Sequence, residues 1–220
     1  GCNTFQLFTR NPRSWKAEEL KPDEIRDFIE KVEKYDMQPI FAHMPYLVNL
    51  ASPRPKIYML SKMTLKTELE RCRILKIPYL VTHLGSHLGA GREKGLKRII
   101  QAINEAYDST NSEVMLLLEN TAGMRNSIGS TFEEIKYIID NLKHPDLVGV
   151  CFDTAHAYAA GYDLRTRRAV EETIHKLDRI IGFERLKLVH LNDSRGGLGS
   201  HIDRHEHIGL GNIGEDGFRA

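Results

Sequence analysis

LVGVCFDTAH (residues 147–156) is an apolar run that ends on Asp153, with His156 three residues further on. Four other apolar runs stop in the same way: PIFAH (39–43) on His43, YLVTH (79–83) on His83, VMLLLE (114–119) on Glu119 and LKLVH (186–190) on His190. The runs are continuous rather than alternating, as expected of strands covered by helices on both faces. A polar stretch, DRHEH (203–207), then adds Asp203 and His205. One such residue would mean little. A strand-end His is usually a polar group satisfied by its neighbours, Asp153 could cap the turn that follows it, and Glu119 could sit in a salt bridge. Five successive strand ends carrying His, His, Glu, Asp and His instead place metal donors on one face of a sheet or barrel. The donors are nitrogen and oxygen without thiolate, which suits catalytic Zn²⁺ or Mn²⁺ rather than structural zinc. Eight of them could serve two or three metals, with a carboxylate bridging.

Strands are expected at Thr4–Thr9, Pro39–His43, Tyr79–His83, Val114–Glu119, Leu147–Asp153 and Leu186–Leu191. Helical periodicity covers Pro22–Tyr35, Ile57–Lys76, Leu96–Ser109, Phe132–Asn141 and Arg167–Ile181. Strand–helix alternation leaves an open doubly wound sheet or a closed (β/α)8 barrel. Functional groups at nearly every strand end favour the TIM barrel, where all the ends ring one mouth. Residues 1–220 read as a single TIM-barrel domain. A barrel needs eight strands and six are visible, so the expectation is a fragment truncated at both ends, lacking the first and last strands. Glycines flank the candidates: Gly85 and Gly89 follow His83, Gly123 follows Glu119, and Gly196, Gly197 and Gly199 precede Asp203. They fit ordinary loop turns and close approach of a bulky ligand equally well.

Composition sets bounds on this reading. Apolar content of 41% and charged content of 28% are ordinary for a globular protein, and the net charge of +1 announces no global basic field. Cys2, Cys72 and Cys151 are an odd, scattered set, which argues against a disulfide framework or a Cys-rich zinc finger and fits a reducing cytoplasm. There is no apolar run long enough to span a membrane and no secretory signal at the start. Nothing demands more than a monomer.

The segments LFTRNPRSW, HMPYLVNLASP, THLGSHLG, LLENTAG, GVCFDTAHAYAAGYD and HLNDSRGGLGSHIDRHEHIGLGNIG cover nearly the whole chain in order. With them the chain resembles the endonuclease IV family of AP endonucleases, within the xylose-isomerase-like TIM barrels. That resemblance implies three Zn²⁺ per chain, with Mn²⁺ an alternative at one position. By motif, His43, His83 and Glu119 would hold one metal. Glu119 would bridge to a second, completed by Asp153 and His190, and His156, Asp203 and His205 would hold the third. A further Glu ligand of that family lies on the eighth strand. His207 is not a ligand in this pattern. Arg13 and Tyr46 match residues that enter the duplex at a lesion, where a flipped nucleotide leaves a gap to be filled.

The implied function is DNA repair. The chain would hydrolyse the phosphodiester 5′ to an abasic site in double-stranded DNA, leaving a 3′-hydroxyl and a 5′-deoxyribose phosphate. It would also accept 3′-blocked lesions and would work in the cytoplasm at the nucleoid. The catalytic residue would be Glu119, orienting two metals that activate water, and Arg195 and Arg204 would contact phosphates. Two alternatives stand beside it: a metal-dependent sugar isomerase of the same barrel superfamily, and a fragment that binds lesions without cleaving them.

Overall fold

All six expected strands form in the computed structural model of the protein, which describes residues 1–220. Strands β1 (Phe5–Leu7), β2 (Ile40–His43), β3 (Tyr79–His83), β4 (Met115–Glu119), β5 (Val148–Asp153) and β6 (Leu186–His190) lie side by side in chain order, every neighbour parallel. Helices α1 (Pro22–Lys34), α2 (Pro55–Ile74), α3 (Arg92–Thr110) and α4 (Phe132–Asp140) connect the first five strands. Between β5 and β6 run α5 (Thr154–Ala160) and α6 (Arg167–Ile181). A short antiparallel hairpin, β7 (Asp193–Ser194) with β8 (His205–Glu206), and α7 (Gly214–Phe218) complete the chain. Parallel strands in sequential order, joined through helices, are the winding of a TIM barrel, the fold class expected from the sequence.

Several boundaries differ from the expected ones for local reasons. β1 ends at Leu7 rather than Thr9 because Thr9 turns to α2, where its hydroxyl donates to Glu68 and its carbonyl accepts from Arg71. α3 begins at Arg92, ahead of Leu96, because its first turn, Arg92-Glu93-Lys94, is polar and invisible to apolar periodicity. α5 was not expected at all. Its residues Thr154–Ala159 are all buried, so the helix has no polar face to set a period.

Each strand sorts its residues onto two faces with period two. Ile40, Ala42, Leu80, Leu116, Leu118, Val150 and Phe152 join the large core between sheet and helices. Phe41, Val81, Leu117 and Cys151 form a separate cluster on the opposite, interior face, with Leu188 packed against it. Two residues further along these same strands stand His43, His83, Glu119, Asp153 and His190. The candidate ligands are therefore the next interior layer above an apolar floor.

The strand register brings that layer around a common mouth. His83 lies opposite Glu119 and Asp153 opposite His190, whereas His43 lies opposite Val81 and Glu119 opposite Cys151. A stagger of this kind is the shear that tilts strands and curls a sheet. It winds the five side chains around one opening instead of leaving them in a row.

Candidate metal centre

Glu119 sits at the middle of the mouth, 2% exposed. Its two oxygens face different histidines. Oε2 lies 3.0 Å from His43 Nε2 and 3.2 Å from His83 Nε2. Oε1 lies 3.3 Å from His190 Nδ1 and 3.4 Å from His156 Nδ1, and the His190 nitrogen is 3.9 Å from Asp153 Oδ2. A third group gathers beside them: His156 Nε2 is 3.3 Å from both Asp203 Oδ1 and His205 Nε2, which are 3.6 Å from each other.

These spacings can be tested against a metal. Donors on one tetrahedral zinc, at Zn–N of 2.0–2.1 Å, stand about 3.3–3.4 Å apart. The three groups come close to that edge length, and the donor set of imidazole and carboxylate suits Zn²⁺. The residues present therefore fit such ions.

Two groupings by proximity differ from the motif assignment. Asp153, rather than Asp203, can be gathered with His156 and His205, and Cys151 with Glu119 and His190. Asp153 lies 3.8 Å from His156 Nδ1 and 3.9 Å from His205 Nε2, further than Asp203 from the same two residues, so Asp203 is the better third donor. Burial, with Glu119 and Asp153 nearby, pushes the Cys151 thiol well up, which keeps it protonated and makes it a poor ligand.

Neighbouring groups fix which ring nitrogen is free. His43 Nδ1 donates to the Met44 carbonyl at 2.7 Å and His156 Nδ1 to the Asn120 carbonyl at 2.9 Å, leaving both Nε2 atoms facing the mouth. His190 is turned the other way. Its Nε2 meets Gln6 Oε1 at 2.9 Å and Nδ1 faces Glu119. Asn120 Oδ1 accepts from the Asp153 N–H and its Nδ2 donates to the Asp153 carbonyl, while Asn192 Nδ2 donates to Asp153 Oδ2 at 2.6 Å. Asp153 is also the N-cap of α5, accepting from the His156 N–H at 2.8 Å. The capping role and the site role are one geometry, because the cap aims His156 at the mouth. Sequence reasoning missed Gln6, Asn120 and Asn192; for the two asparagines, the available signal was adjacency to Glu119 and to His190-Leu191.

Electrostatically, the mouth is a coupled cluster. Burial opposes ionisation of Glu119, but hydrogen bonds from His156, His190, His43 and His83 outweigh it and hold the carboxyl well below the usual range. Burial likewise opposes a charge on His156, yet Asp203 and Glu119 push it up to about 11. His190 is raised in the same way, against its burial, by Glu119 and Asp153. The bond from His156 holds Asp203 down.

The remaining candidates sit on the rim. Tyr46 is 59% exposed, and its backbone N–H donates to the Pro12 carbonyl at 3.0 Å, so the loops bearing Tyr46 and Arg13 are joined. Its ring meets Phe8 edge-on at 5.2 Å, and Phe8 in turn packs on His43. Arg13 is exposed. A cavity of about 720 Å³ lies between Tyr46, Phe8 and the donor cluster, and one of about 830 Å³ extends from Tyr46 and His83 past Arg54 and Arg125. Arg195 is paired with Glu206 at 2.9 Å, and His207 is exposed outside the cluster. Two flanking glycines serve the chain's own packing: Gly85 (φ +92°) leaves room for the Asn49 side chain and Gly123 (φ +77°) for His201.

The fold defines the chain as a barrel of the xylose isomerase-like TIM class with candidate metal donors at its mouth, and the sequence profile of that class matches residues 1–220. Within it, the chain belongs to the endonuclease IV family. It is 54% identical over 220 residues to a probable endonuclease 4 of Methanoculleus marisnigri, covering all of this chain and 78% of that protein. It is 50% identical to the probable endonuclease 4 of Nitrosopumilus maritimus, covering all of this chain and 79% of that protein. The crystal structure of endonuclease IV from Thermus thermophilus superposes with a TM-score of 0.86 at 37% identity, over 99% of this chain and 76% of that one.

Proposed function

We propose that the protein is an AP endonuclease that hydrolyses the phosphodiester 5′ to an abasic site in duplex DNA, leaving a 3′-hydroxyl and a 5′-deoxyribose phosphate. The observation that carries this reading is the division of Glu119, whose Oε2 serves His43 and His83 while Oε1 serves His190. One carboxylate shared in this way, beside the adjoining His156–Asp203–His205 group, supports three adjoining metal positions. Zinc held by these residues would supply Lewis acidity, lowering the pKa of water and balancing phosphate charge.

The chain's own residues do the rest. Glu119, as the shared carboxylate, is the catalytic residue of this reading. The Met44 and Asn120 carbonyls hold His43 and His156 with Nε2 forward, and Asn192 orients Asp153. Tyr46 and Arg13, on joined loops at the rim, enter the duplex at the lesion and fill the gap left by the displaced sugar. The apolar layer of Phe41, Val81, Leu117 and Cys151 packs beneath the site on the interior face of the sheet. Duplex DNA with abasic or 3′-blocked lesions is the substrate, the protein acts as a monomer, and its place is the cytoplasm, at the nucleoid. No helix is long and apolar enough to cross a membrane.

The test is incision of a duplex carrying one tetrahydrofuran abasic analogue. A single cut 5′ to the analogue, abolished by chelation and restored by Zn²⁺, is the expected result. Tight binding without a cut at saturating zinc would replace this reading with that of a lesion-binding protein.

A further inference from the structure

Asp193 lies just past β6 and is 0% exposed, yet it takes no place in the donor cluster. Its carboxylate collects five backbone N–H groups. Oδ1 accepts from Ser194 at 2.8 Å and Ile213 at 2.9 Å; Oδ2 accepts from Gly209 and Gly211 at 3.0 Å and from Gly214 at 3.2 Å. Four of the five donors come from residues 209–214, so one side chain gathers that whole loop. The fit is close: a Cβ on Gly211 would stand 2.5 Å from Asp193 Oδ1 and 2.6 Å from the Ser194 carbonyl. Asn212 reinforces the arrangement, donating from its N–H and its side chain to the Ser194 carbonyl.

The chain between Asp193 and this loop is the hairpin that carries two of the candidate donors. Ser194 pairs with His205 and Asp193 with Glu206, and the Arg195 N–H donates to the Arg204 carbonyl at 2.9 Å. β7 and β8 have two residues each, too few to hold a long excursion by ladder bonds alone. Asp203 and His205 are both exposed and lack the packing that fixes His43 or His156. The tip of the hairpin is held to α5, where the Gly199 and His201 N–H groups donate to the Tyr158 and Ala159 carbonyls, and Asp193 ties its two ends together, so the positions of Asp203 and His205 depend on both.

We infer that Asp193 is the positioning residue of the third metal position: by gathering the amides of residues 209–214 it sets the hairpin so that Asp203 and His205 meet His156. The inference rests on the metal reading above. Outer partners that orient ligands typically change metal affinity by about 10–100-fold, and an effect of that size is expected here, confined to one of three ions.

Asp193→Asn tests it, since the amide keeps the shape but turns an NH₂ towards backbone N–H donors. Zinc affinity is read by competition with a chromophoric chelator. The expected result is one zinc weakened about 10–100-fold, with the others as in the wild type. His205→Ala should lose that same ion, and the double variant should lose no more than His205→Ala alone. Unchanged affinity in Asp193→Asn, or equal weakening of every zinc, overturns the inference. A wild-type protein that never takes a third zinc overturns the metal reading instead. If Asp193→Asn does not fold, hydrogen exchange on the wild type decides. Loading the last zinc should slow the amides of Gly209, Gly211, Ile213 and Gly214 severalfold, and unchanged protection there overturns the inference.

Discussion

His156 Nε2 and His205 Nε2 stand 3.3 Å apart, each also close to Asp203 Oδ1. In the metal-free protein a proton must lie among these atoms, and the neighbouring carboxylates keep His156 protonated to about 11 against its burial. A raised imidazole stabilises the metal-free fold fully below its ordinary 6.5, and that contribution fades as pH rises through about 11. An imidazole that ligates a metal must be neutral, so zinc has to displace the proton at any pH below that value. Calorimetry at pH 8 in buffers of different ionisation enthalpy should therefore show release of about one proton or more on zinc binding. Zero release at pH 8 would contradict the cluster's geometry.

The shared carboxylate makes a second prediction. Glu119→Gln replaces one oxygen with an amide nitrogen, which cannot accept from or bridge like the other. Four histidine hydrogen bonds stabilise the Glu119 anion, and all lose their charged partner. Metal content should fall below three per chain and single-turnover incision by about 100-fold or more. Elemental analysis and a nicking assay read the two effects; a variant that keeps full metal content would refute the bridging role.

A third prediction concerns the loop carrying Arg13. Glu68 on α2 is 0% exposed and binds Arg10 Nε at 2.7 Å and the Thr9 hydroxyl at 2.6 Å. Arg71, beside it, donates to Thr9 and to the Glu18 carbonyl. Breaking a buried pair of this kind leaves an uncompensated guanidinium and costs about 3–5 kcal/mol. Glu68→Gln should lower unfolding free energy by that order in urea, with metal content unchanged in the folded fraction. A change under about 1 kcal/mol would show the clamp to be dispensable.

Glu68 also marks where the sequence stops being legible. In TLKTELERCR it reads as one more charge on an amphipathic helix, and only the fold reveals that loop β1–α1 lies over it. The strand ends were readable because a strand's period of two and a barrel's shear place interior residues by rule. α5 was not, since a helix buried on all sides carries no periodic signal. Nor was the hairpin, because two-residue strands are set by contacts such as those of Asp193, distant in sequence. Gln6 beside His190 was hidden for the same reason, being 184 residues away from its partner.

Tyr46 carries the last prediction. Its ring is largely exposed and touches the rest of the protein mainly at Phe8, while the bond that joins its loop to Pro12 is made by the backbone. Tyr46→Ala therefore removes the ring without removing the loop's anchor, and metal content and melting temperature should stay near those of the wild type. If the ring fills the gap at a lesion, its loss removes an aromatic contact of about 1–3 kcal/mol, equivalent to roughly 5–150-fold in Kd. That loss should fall on abasic duplex and spare intact duplex, where no gap exists for the ring to enter. Binding measured side by side on the two duplexes at one salt concentration separates the possibilities, because phosphate contacts weaken both alike. Equal weakening on the two would mean that Tyr46 serves only the general DNA surface, and that recognition of the lesion lies with Arg13 and the metal cluster.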